Sequence, residues 1–142
     1  MAIQMQPITI TASATMNKDT HEGNVVRLSA AAGLTVTLPA SSGKGDEYSF
    51  FVLTTVTSNN YIIAVANATD IMQGGVALST DIGGTNMLAS STSDTITMNG
   101  STKGGIVGDL IELVDADVGF WQVRVIGSAT GTEATPFSAA VS

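Results

Sequence analysis

Few side chains in this 142-residue sequence are suited to acid–base or nucleophilic catalysis. His21, the single histidine, lies beside Glu22 in a polar stretch, where it could be a pH sensor, a ligand or a solvated loop residue. The absence of a second histidine favours the solvated loop residue. No Gly-x-Ser-x-Gly motif surrounds any serine that His21 could activate. We therefore expect no catalytic residues and no enzymatic activity.

Asp115 and Asp117 are two acids close together in the sequence. Paired carboxylates catalyse hydrolysis only when both point at one reacting centre in a cleft, whereas aspartates beside a glycine commonly stabilise turns. We interpret both as residues of a turn that runs from Asp115 to Gly119. A weak calcium site is the alternative, although calcium takes about six to eight oxygen ligands. We predict neither a bound metal nor a cofactor.

The segment 41–45 contains a Gly-Lys pair, but it departs from the phosphate-binding loop. That loop ends in Gly-Lys-Ser/Thr at the start of a helix, and here Lys44 is followed by Gly45, Asp46 and an expected strand. We interpret the segment as a turn. The five Lys and Arg residues are scattered and the net charge is −7, so we expect no nucleic-acid partner.

Composition points to a structural protein. Only 12% of residues are charged, against roughly a quarter in ordinary soluble proteins, and the chain has no cysteine. Such a surface suits a protein that packs against copies of itself or a large partner, and equally an extracellular β-protein. Neither a long apolar run nor a basic leader with an apolar stretch is present, so we expect no membrane partner and no secretory signal.

The segment 104–126 has the pattern of a β-hairpin. On its second arm Trp121, Val123 and Val125 alternate with Gln122 and Arg124, which predicts one buried and one wet face. We expect Glu112 to pair across the hairpin with Arg124 or Gln122. Trp121 is predicted to be a core anchor, with sugar stacking as the alternative.

Short apolar segments recur about every ten residues through the rest of the chain, which is typical of all-β folds. We predict a single antiparallel β-sandwich or β-barrel, jelly-roll-like, in which residues 81–94 form a long loop or flap. Residues 1–16 are predicted to be an extended N-terminal arm, 17–126 the β domain and 127–142 a C-terminal tail. Apolar and proline residues in these arms are predicted to contact a partner: Ile3, Pro7, Ile8, Ile10, Pro136 and Phe137.

Several segments from about Gly23 onward resemble the head decoration, or cement, proteins of tailed bacteriophages. They include Leu34-Thr-Val-Thr-Leu-Pro39, Val65-Ala-Asn-Ala-Thr-Asp70, Trp121-Gln-Val-Arg124 and Gly131-Thr-Glu-Ala-Thr-Pro-Phe-Ser138. The resemblance implies a homotrimer, made in the host cytoplasm, that binds the major capsid protein on the outer surface of the virion capsid and stabilises the shell. It supplies no catalytic motif.

Two other functions remain open at this point. Related β modules occur in tail fibres and spikes, so the chain could bind host-receptor glycans through a groove near Trp121 or residues 81–94. A virion-associated glycan hydrolase would require a cleft with two facing carboxylates.

Overall fold

The computed structural model describes residues 6–142, so Ile3 of the predicted arm lies outside the described residues. These residues form an all-β structure with a single helical turn. The elements are β1 (Ile8–Ile10), β2 (Ala14–Thr15), α1 (Lys18–His21), β3 (Val25–Leu28), β4 (Leu34–Thr37), β5 (Glu47–Val52), β6 (Tyr61–Ala64), β7 (Ile71–Thr80), β8 (Gly83–Leu88), β9 (Thr95–Met98), β10 (Leu110–Asp117), β11 (Phe120–Ser128) and β12 (Phe137–Ser138).

The strands form two sheets. Seven strands pair in the order β1-β3-β5-β10-β11-β7-β8, and five pair in the order β12-β9-β6-β4-β2. Alternate residues of most strands are buried, and one apolar cluster takes side chains from both sheets, including Phe50 and Trp121 of the first sheet and Ile63 and Ile96 of the second. The predicted all-β class is therefore confirmed.

Both sheets are mixed, so the prediction of an antiparallel fold is wrong in this respect. From β1 to β6 the chain places each successive strand in the other sheet. Because the chain returns to a sheet only after a strand in the other one, β1, β3 and β5 run parallel, as do β2, β4 and β6. Alternating burial is the same in parallel and antiparallel strands of half-exposed sheets, so the sequence pattern did not reveal this winding.

The predicted hairpin at 104–126 is confirmed as β10 and β11, two central strands of the larger sheet. Glu112 lies directly opposite Arg124, and the carboxylate Oε2 accepts a hydrogen bond from Nη2 at 2.7 Å. The turn itself is shorter than predicted, because β10 continues through Asp117 and only Val118 and Gly119 connect the strands.

Residues 81–94 are not one continuous loop or flap, because Gly83–Leu88 form strand β8 and only 81–82 and 89–94 lie outside strands. Strand β7 pairs antiparallel with β8 along Gly75–Thr80, and Asp81 and Ile82 form the connection between them. Strand β8 lies at the edge of the larger sheet and most of its residues are exposed. Gly83 and Gly84 suggest a loop in the sequence, but pairing with the long strand β7 makes them extended.

Parts of both predicted arms belong to the two sheets, as strands β1, β2 and β12 and the end of β11. In the first arm, Ile8 and Ile10 pair with β3 through β1, and Met16 is buried in the core. In the tail, Phe137 pairs with Ile96 of β9 and is itself buried, while β11 extends past Ile126 to Ser128. Met16 and Phe137 are part of the shared apolar core, and the half-buried Ile10 packs against it.

Candidate interaction surface

Four aspartates are buried among the described residues, and each accepts hydrogen bonds from the backbone of a neighbouring segment: Asp70, Asp94, Asp109 and Asp115. A buried carboxylate is stable only when such donors replace its lost hydration. The four carboxylates therefore fix connecting segments in place.

Asp115 shows this most clearly, and it corrects the interpretation of this residue as part of a turn. It lies within β10, and its carboxylate accepts hydrogen bonds from the backbone N–H groups of Ser42 and Gly43 at 2.8 Å and from the Ser42 hydroxyl at 2.7 Å. Asp70 binds the N–H and hydroxyl of Ser41 in the same loop. Amides that a phosphate would need in segment 41–45 are thus already bound to carboxylates of this chain.

Asp109 binds the segment that precedes β10 and the end of β11, and Asp94 binds the C-terminal segment. Burial raises the pKa of Asp109 above its ordinary value, and hydrogen bonds from the amides of Ile106, Ser128 and Gly105 offset part of that rise. Burial also opposes ionisation of Asp94. There, hydrogen bonds from the Ala140 and Val141 amides and the Thr95 hydroxyl outweigh burial, so the pKa of Asp94 lies below its ordinary value. Asp94 thereby anchors the C-terminal segment.

His21 is buried, which corrects its interpretation as a solvated loop residue. It ends the helical turn α1, and its Nδ1 accepts a hydrogen bond from the Asn17 amide at 3.0 Å. The imidazole therefore closes the turn that begins at Asn17. Within residues 6–142, no group of three or more His, Asp or Glu side chains is arranged to hold a metal ion.

Trp121 is 1% exposed and its ring meets that of Tyr48 edge to face, with centroids 5.8 Å apart. In this position it offers no stacking surface to a sugar. Of the predicted arm residues, Pro7 is exposed, Ile8 and Ile10 are half-buried, and Pro136 and Phe137 are buried, so the structure does not bring them together as one exposed patch.

The predictions from sequence did not include the side of the larger sheet that points away from the core, here called the outer face. One row across it contains Phe51, Leu110, Ile126 and Ala77, which the strand register places side by side. Ile126 is 56% exposed, and the other three are partly exposed. The row is therefore a continuous apolar band on a solvated sheet surface.

A groove of about 360 Å³ continues this band towards the sheet edge. The groove exists because β7 contributes the small residues Gly75 and Ala77, which lie between the larger side chains of β11 and β8. Ile126 borders one side and Leu88, which is 82% exposed, borders the other. The outer face thus combines an apolar row and a groove with polar and charged side chains, of which Gln122 and Arg124 also line the groove.

A sequence signal for this surface exists. The two-residue period that assigns Gln122 and Arg124 to the wet face also assigns Ile126 to it, and the same period groups Leu110 with Glu112. Single exposed apolar residues are common on any protein, but a contiguous row of them rimmed by charged residues is typical of a contact surface.

Comparison with models of protein families, with curated proteins and with solved structures finds no match to this chain. Among residues 6–142, no helix has the length and hydropathy needed to cross a membrane.

Proposed function

We propose that this protein is a structural virion component, a decoration protein that binds the outer surface of a bacteriophage capsid as a homotrimer and stabilises the shell. The observation that carries the proposal is the outer face, where the apolar row from Phe51 to Ala77 and the adjoining groove are open to solvent. Exposed apolar patches of this kind mark protein–protein contacts. The resemblance of the sequence to decoration proteins supplies the class of partner.

In this proposal the two sheets pack face to face as a β-sandwich, which supports the outer face as a rigid platform. The buried carboxylates of Asp70, Asp94, Asp109 and Asp115 keep the connecting segments fixed. Binding to a shell then orders few additional residues, which preserves affinity that a flexible surface would lose.

The shell is stabilised through repetition. Each copy makes modest contacts, but a trimer that touches several capsid subunits at once holds the remaining contacts at high effective concentration. Neighbouring capsomers are then linked against the internal pressure of packaged DNA. The net charge of −7 opposes adhesion between whole virions.

The buried aspartates favour this structural role over glycan hydrolysis, since all four bind backbone amides of their own chain. The glycan-binding alternative depended on an aromatic and polar groove near Trp121 or residues 81–94. The ring of Trp121 is buried, and the groove that Asn86 and Leu88 border has no aromatic side chain in its lining, so neither place offers a stacking surface to a sugar.

The test compares two apolar-to-acidic variants. Ile126→Asp places a charge in the apolar row, whereas Val118→Asp places the same charge on the hairpin turn, where Val118 is 69% exposed and away from the row. We expect Ile126→Asp to lose capsid binding at least about tenfold and Val118→Asp to retain it. Capsids decorated with wild-type protein should release DNA at a higher temperature than bare capsids. Equal binding by both variants would remove the outer face as the capsid contact.

A further inference from the structure

Among the strands of residues 6–142, β8 pairs with β7 alone, and the sheet edge that it forms lacks the usual protection against further pairing. Natural edges are shortened or carry charges, prolines or bulges. The opposite edge β1 has three residues and follows Pro7, and β2 and β12 have two residues each. Strand β8 has six exposed or partly exposed residues, Gly-Gly-Thr-Asn-Met-Leu, with no charge or proline.

The pairing of β8 with β7 determines which backbone N–H and C=O groups of β8 remain free to bind another strand. The Ala89 amide donates to the Gly74 carbonyl, and hydrogen-bonded pairs recur at every second residue of an antiparallel ladder. Met87, Thr85 and Gly83 therefore bond to β7. The N–H and C=O groups of Gly84, Asn86 and Leu88 point outward from the sheet edge.

We propose that β8 pairs antiparallel with β8 of a second copy, so that two larger sheets join edge to edge around a two-fold axis at Asn86. With the axis perpendicular to the sheet, Asn86 faces Asn86 of the other copy, and Gly84 faces Leu88. All three outward-pointing residues then exchange backbone hydrogen bonds with their counterparts.

The side-chain sizes along β8 and the low charge of the β7–β8 hairpin favour a second copy of this chain as the partner of β8. The exposed side chain of Leu88 lies over Gly84, which has no side chain to oppose it, and the two Asn86 amides can bond to each other. The chain carries a net charge of −7, so two copies repel each other on average. The hairpin β7–β8 avoids this, because Asp81 is the only charged residue between Ile71 and Ser93.

This arrangement also keeps the outer faces of both copies on the same side. If the proposed capsid function holds, two copies joined in this way can lie on one shell and link neighbouring trimers across a local two-fold axis. The strand contact itself does not depend on the capsid.

The experiment uses introduced cysteines, since the chain has none of its own. Asn86→Cys places two thiols on residues whose Cα atoms are about 5.5 Å apart in a hydrogen-bonded pair, within disulfide range. Thr85→Cys is the matched control, because the proposed register separates the two copies of residue 85 by about 8 Å. We expect oxidised Asn86→Cys to run as a disulfide-linked dimer in denaturing electrophoresis and Thr85→Cys to stay unlinked. Failure of both to crosslink, or equal crosslinking of both, would overturn the proposal.

Sedimentation of the cysteine-free protein gives a second readout. Asn86→Lys places like charges opposite each other at the axis, whereas Ser91→Lys adds the same charge at an exposed position outside β8. Wild-type and Ser91→Lys proteins should form, with increasing concentration, species of at least twice the mass of that formed by Asn86→Lys. Equal masses for all three would overturn the proposed pairing. If capsids gain no stability from the protein but Asn86→Cys still forms the crosslink, only the proposed capsid function is contradicted and the strand pairing stands.

Discussion

At the scale of single residues, buried aspartates bind backbone amides of other segments, whereas aspartate more often bonds to nearby backbone in a tight turn. Asp115 is the clearest case, because a side chain on a central strand binds two amides and a hydroxyl of a loop more than seventy residues away in sequence. The sequence pattern could identify the acid, but not a donor so distant along the chain. The local preference of aspartate for turns suggested a nearer partner.

Asp115→Asn should destabilise the fold by about 1–3 kcal/mol, because an amide NH₂ group would face the backbone donors of Ser42 and Gly43. Asp117→Asn is the matched control on the same strand. Its exposed carboxylate accepts one bond, from the Val118 amide, and the change should cost less than about 0.5 kcal/mol. Urea unfolding of both variants measures the difference. Equal losses would contradict the anchoring role of Asp115.

Asp94 predicts a dependence of stability on pH. Its pKa is lowered in the folded protein from the ordinary value of 3.8, so its contribution is fully present above that value. The contribution is lost as the pH falls from there through the lowered pKa, when the carboxylate becomes protonated. Asp94→Asn should therefore lower the melting temperature more at pH 7 than at pH 2. An equal decrease at both pH values would contradict this account.

At the scale of elements, close packing of parallel strands β7 and β11 requires a glycine at position 74. Its φ of 142° suits glycine, and a Cβ there would overlap the Val123 carbonyl. Gly74→Ala should cost about 3 kcal/mol. The neighbouring Gly75→Ala points to the outer face, where its Cβ would lie 3.2 Å from the Met87 carbonyl oxygen, and should cost about 1 kcal/mol or less. Thermal unfolding of the pair tests this, and similar losses would count against the packing argument.

The elements divide into those that local pattern determines and those that it does not. The hairpin of β10 and β11 was predictable, because alternation and a glycine turn specify an antiparallel pair between neighbours in sequence. The parallel order of β1, β3 and β5 was not, since it depends on which sheet each connection crosses to. Strand β8 was missed because Gly83 and Gly84 resemble a loop until β7 pairs with them.

The candidate surface was harder to predict than the fold. Ile126 is visible in the sequence as an apolar residue on a wet face, but Phe51 and Leu110 join it only through the register of three strands. Residues of the predicted arms, such as Phe137, were expected at a partner and instead complete the core. The alternation within one strand predicts on which face each residue lies. It does not predict which residues of other strands lie beside it, because that depends on register.

At the scale of the whole molecule, a fixed scaffold displays a contoured outer face with an apolar row and, in β8, a long exposed strand edge. In the proposed assembly the outer face contacts the capsid and β8 contacts a neighbouring copy. A protein that functions by repeated contacts of this kind must be present throughout the shell, and its abundance follows from the number of capsid subunits.

The most direct test of the capsid role is therefore the copy number of this protein in purified virions, measured by quantitative mass spectrometry against the major capsid protein. The account predicts a constant proportion to the capsid protein in intact particles, with a marked loss for the Ile126→Asp variant. A few copies per particle that separate with the tail would contradict it.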